Sequence, residues 1–189
     1  NHEFAGKENE AKVLWRTPKG KIFLLGLGEK AKWNSRKLIL VARHIVALAK
    51  SEKIPSIVLA LEYLATAGQS AERLAQTVVE NAVMADYEFL NYKEKSEDNF
   101  QINLFTLLVS RLAIKEAKVG VIVGQVIGEQ VNDARELGNI PGGEMTPTLL
   151  SQKAQIAGRD HGFKVKVFGR SEMKTLKMGA ILGVAHGSA

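Results

Sequence analysis

The sequence predicts an α/β protein, and three features of the chain point to that class. Short apolar runs alternate with amphipathic helical patterns as far as Ser110. A long helical pattern follows, with glycine at every fourth position: Gly120, Gly124 and Gly128. A break at Gly138, Asn139, Pro141, Gly142 and Gly143 comes next, and a shorter segment then resumes the alternation. Buried strands interleaved with one-sided helices suit a sandwich on a parallel or mixed sheet.

Residues 1–12 are polar without a clear period, which fits a strand remnant or a loose terminus. Lys21-Ile22-Phe23-Leu24-Leu25-Gly26-Leu27 is apolar enough for a buried strand. Asn34 is placed to cap a helix whose Leu38, Ala42, Ile45 and Ala49 share one face. Pro55, which has no N–H, blocks its continuation. Ile57-Val58-Leu59-Ala60-Leu61 predicts a second buried strand. Ser70 precedes a helix with Ala71, Leu74, Ala75, Val78, Val79 and Ala82 as its apolar stripe. Tyr87-Glu88-Phe89-Leu90-Asn91-Tyr92 predicts a strand, residues 93–99 a polar loop, and residues 102–110 a further strand.

From Leu112 a helix is predicted to Leu137, with Val119, Ile122, Val123, Val126, Ile127, Gln130 and Ala134 near one face. Each glycine in it gives up about 1 kcal/mol of helix propensity against alanine. Close packing of the bare backbone against another helix would offset that loss. A membrane dimer motif is the weaker account, because Lys115, Lys118, Glu129 and Asp133 flank the short apolar run. Beyond the break, Thr146 reads as an N-cap with Pro147 at the first helical position, opening a helix to about Gly158. Phe163-Lys164-Val165-Lys166-Val167-Phe168 alternates like a half-buried strand. Ser171 then caps a short helix, and residues 180–185 predict a last apolar strand, as in the opening of a second α/β domain.

Composition narrows the function classes. With 46% hydrophobic and 24% charged residues, the 189-residue chain is an ordinary globular sequence. No apolar run reaches the roughly 18 residues of a membrane helix, and no signal peptide opens the chain, so a cytoplasmic protein without a membrane partner is expected. Zero cysteines exclude disulfides, thiolate ligands and a cysteine nucleophile. The net charge of +6 raises the question of nucleic acid, but the 26 basic residues are interspersed with 20 acidic ones and form no block.

Few residues suggest chemistry. Gly26-Leu27-Gly28-Glu29-Lys30-Ala31 fits a loose dinucleotide pattern, with Glu62 placed where a ribose would be bound. A dinucleotide site needs a helix starting inside that turn, whereas the helix here starts after Asn34, so an ordinary glycine turn is the stronger reading. His2, His44, His161 and His186 stand apart without metal-binding spacing. Ser188 lacks the elbow motif of a serine nucleophile. Asp133, Glu136 and Glu144 gather near the break, but surface pairing beside Arg135 explains Asp133 and Glu136 more simply than catalysis.

The break itself carries a resemblance. Ala134-Arg135-Glu136-Leu137, Asn139-x-Pro141 and Met145-Thr146-Pro147, with Leu149, Leu150 and Ala154 following, resemble the interdomain segment of the leucyl (cytosol) aminopeptidases. His161-Gly162-Phe163-Lys164-Val165 and residues 178–188 continue the likeness in register. The likeness is tight over residues 134–188 and only architectural before them. It implies a macro-domain-like N-terminal α/β sandwich over residues 1–111, lacking its first strands. A connecting helix and linker over 112–145 and the truncated start of a metallopeptidase domain over 146–189 would follow. It also implies a cytoplasmic homo-hexamer that removes N-terminal residues from peptides with two divalent metal ions, manganese or zinc. The family's metal and catalytic residues lie in a Gly-Lys-Gly block and an Asn-Thr-Asp-Ala-Glu-Gly-Arg block, and neither occurs here. No catalytic, cofactor-binding or metal residue is therefore expected in this chain, and the 189 residues alone should be inactive. The alternative is a stand-alone binding module for DNA or, with less support, a nucleotide.

Overall fold

The computed structural model describes residues 3–17, 20–65, 68–94 and 99–187. The chain divides into two compact units, Asn1–Glu136 and Leu137–Ala189.

In the first unit β1 (Ala11–Thr17) and β2 (Gly20–Leu25) form an antiparallel pair. Helix α1 (Ser35–Ser51) leads to β3 (Ser56–Ala60), and α2 (Ala71–Asp86) leads to β4 (Leu104–Leu108), which lies parallel to β3. Helix α3 (Ile114–Asn139) follows. The Asn34 side chain accepts from the amides of Arg36 (3.0 Å) and Lys37 (3.1 Å), and Ser70 Oγ from that of Arg73 (3.2 Å). Both caps stand where local side-chain chemistry places them. Leu38, Ala42, Leu61, Leu64, Leu74, Ala75, Val78 and Ala117 form the buried core. Asn81, buried within α2, donates to Thr77 O at 2.9 Å and accepts from Arg43 Nε at 3.0 Å, so its burial leaves no polar atom orphaned.

Helix α3 confirms the glycine reading with an addition. Gly120, Gly124 and Gly128 are buried, and a β-carbon on Gly120 would lie 2.0 Å from Glu72 O on α2. The valine and isoleucine stripe faces outward instead, with Ile122 65% and Val126 53% exposed. The packed face is the glycine face.

Three expectations in this unit change. Strand β1 was not anticipated beyond a remnant over residues 1–12; it covers Ala11–Thr17. The strand expected over Tyr87–Tyr92 is absent. Lys93 N bonds to Leu90 O at 3.0 Å, Glu88 pairs with Lys50, and the Phe89 and Tyr92 rings meet at a tilt of 43° with centres 5.6 Å apart, all of which fold the segment into a turn. The strand expected over 102–110 is shorter because the Asn103 and Leu104 amides both turn to Pro55 O.

The second unit holds α4 (Pro147–His161), α5 (Arg170–Thr175) and α6 (Gly179–Ala185). Thr146 Oγ1 accepts from Leu149 N at 3.2 Å, as the Thr-Pro pair predicts, and Gly162 closes α4 in the left-handed region at φ 74°. Helix α5 begins at Arg170 behind Gly169, so Ser171 lies inside it and does not cap it. Residues 163–168 form no strand among the described residues, and residues 180–185 belong to helix α6. A strand needs a neighbour to pair its backbone, whereas a helix satisfies these groups internally. Ala180, Leu182 and Ala185 are also good helix formers.

Candidate functional site

The glycine turn is built against the residues before β1. Gly26 N donates to Glu10 O at 2.7 Å and Gly28 N to Gly6 O at 3.0 Å. A β-carbon on Gly26 would lie 1.9 Å from Lys7 O, and Gly28 has φ +72°, so both positions need glycine for backbone reasons. The turn then passes through a single 3-10 turn at Lys30–Lys32 to Trp33, whose indole donates to Leu64 O at 3.1 Å. No helix starts at the glycines. Two amides that a phosphate would need are occupied by carbonyls. Glu62 is also engaged, accepting from Ser110 N at 2.6 Å. These glycines set a close backbone crossing, and the dinucleotide reading fails on geometry.

Glu10 holds that crossing from below. Its carboxylate accepts the Ala5 amide at 3.1 Å and the Lys7 amide at 3.0 Å. The Ala5 amide, followed by those of Lys7 and Gly6 and the Lys7 charge, holds the carboxyl below the ordinary glutamate range. A lowered folded pKa means the contact is fully present above the unfolded value and is lost as pH falls through the folded one. An NMR titration should therefore give Glu10 a midpoint below the usual glutamate value. The Ala5 and Lys7 amides should lose protection over that same acidic range.

At the end of α3 the residues of the break do different work from that expected. Arg135 does not pair with Asp133 or Glu136. Its guanidinium lies 4.3 Å from the centre of the Tyr87 ring and donates to Met84 O at 2.8 Å. Asn132 Nδ2 donates to Val83 O at 3.1 Å, and from α1 Lys50 Nζ donates to Asp86 O at 3.0 Å. Glu136 accepts the Tyr87 hydroxyl at 2.8 Å and the Asn91 side-chain amide. Helix α2 ends at Asp86, and the last carbonyls of a helix have no partner within it. Side chains from α3 and α1 supply those partners. Asp133 is exposed near Gln130, and Glu144 sits in the turn made by its own amide to Pro141 O. Sequence reasoning missed Tyr87, Asn91 and Asn132, and nothing local to them marks a partner some 49 residues away.

Three of the four histidines lie among the described residues. His44 is half-buried on α1, His161 is exposed at the end of α4, and His186 is exposed after α6. His2 and Ser188 lie outside the described residues. Among the described residues no three of His, Cys, Asp or Glu stand together as metal ligands, so this set does not fit a two-metal centre. No described helix is long and apolar enough to cross a membrane.

The description of the cytosol aminopeptidase family's N-terminal domain matches residues 1–96, and that of its catalytic domain matches residues 132–189. The chain belongs to the cytosol aminopeptidase family. Among relatives, a probable cytosol aminopeptidase of Persephonella marina is 32% identical over 99% of this chain and 38% of its own length. One from Bacillus subtilis is 30% identical over 89% of this chain and 34% of its own. The chain thus spans little more than a third of the length of these relatives. Among solved structures, a tomato leucine aminopeptidase mutant superposes with a TM-score of 0.81 at 27% identity, covering 96% of this chain and 36% of that one. A bottromycin maturation enzyme determined with Mn superposes with a TM-score of 0.76 at 18% identity, covering 92% and 35%, which is a likeness of fold. The mixed α/β architecture and the family resemblance carried by residues 134–188 both stand.

Proposed function

We propose that these residues form the N-terminal domain (1–111), the connecting helix and linker (112–145) and the opening of the catalytic domain (146–189) of a metal-dependent aminopeptidase. The observation that carries the reading is the order of the two family matches, N-terminal then catalytic, on either side of most of α3. The complete protein would release N-terminal residues from peptides in the cytoplasm, as a homo-hexamer using two divalent ions, manganese or zinc. Its ligands would lie outside these residues. This chain's part is scaffolding: α3 is seated on α2 by its glycine face and held at its end by Arg135 and Glu136.

The stand-alone modules gain no support. The glycine turn has no free cradle for a nucleotide, and many lysines that could face DNA are paired with acids, including Lys21–Glu52, Lys32–Glu29, Lys37–Glu8 and Lys166–Glu172. The complete protein should cleave an unblocked leucyl peptide, spare its N-acetylated form, lose activity to a chelator and regain it with manganese or zinc. The 189-residue chain assayed beside it should be inert. Metal-dependent release by the short chain, or chelator-resistant release by the complete one, overturns the reading.

A further inference from the structure

We draw no further inference here: the strongest candidate, the apolar cavity of about 750 Å³ walled by α2, α3 and β4, carries nothing because nothing in the structure shows what covers it.

Discussion

Replacing Gly120 with alanine should destabilise the first unit by about 1–3 kcal/mol, the usual range for forcing extra atoms into a packed site. Propensity alone predicts the opposite sign, because alanine is favoured over glycine in a helix by about 1 kcal/mol. Sterics decide the contest: the new methyl would sit 2.0 Å from Glu72 O and 2.9 Å from Gln76 N, both backbone atoms of α2. Backbone cannot step aside as a flexible side-chain end can, so the two helices must separate. Gly128 is a milder case, since its nearest neighbour is the Val83 side chain at 2.8 Å. Gly138 lies in the same helix with nothing within 4 Å of its ideal β-carbon, so there alanine should be neutral or stabilising. Urea unfolding should show the midpoint of Gly120→Ala lower by about 1 M, given slopes of about 1–3 kcal/mol/M. That of Gly138→Ala should be unchanged or slightly raised. Equal midpoints for the two variants would remove the packing account of the glycine repeat.

What was legible in the sequence follows from how local each interaction is. Asn34, Ser70 and Thr146 cap helices through amides two or three residues away, so the residue type and its position sufficed. The glycine repeat also announced close packing, because a costly residue at every fourth place needs a reason on one face. The repeat did not reveal that the apolar stripe beside it would be left exposed, as Ile122 and Val126 are. Strand β1 went unread although Thr17-Pro18-Lys19-Gly20 after an apolar triplet is a hairpin signal. Residues 180–185 show the reverse error. An apolar run of that length fits a strand or a helix equally well, and only the presence of a pairing partner separates the two. The family block at 134–147 was recognisable, but the work of Arg135 and Glu136 within it was not, since their partners lie on the far side of β4 in the chain.

Those partners make Arg135 and Glu136 a latch, and its removal should be felt locally. Glu136→Ala strips the acceptor from both Tyr87 Oη and the Asn91 amide, while Arg135→Ala uncovers Met84 O and the Tyr87 ring. Hydrogen bonds to charged groups contribute about 1.5–3 kcal/mol, and partial exposure of these groups reduces that to about 1–2 kcal/mol here. Amides in the last turns of α2 and α3 should then exchange about tenfold faster. Those near Gly120 should hold their rate, because the glycine face is untouched. A double-mutant cycle between Tyr87→Phe and Glu136→Ala should give a coupling of about 1 kcal/mol, as expected for groups in direct contact. Additive effects, or equal acceleration along all of α3, would mean that the helix end is held by its packing and not by these side chains. The distinction matters because α3 is the element that runs out of the first unit. Its glycine face positions the helix on α2, and the latch decides whether the final turns stay there.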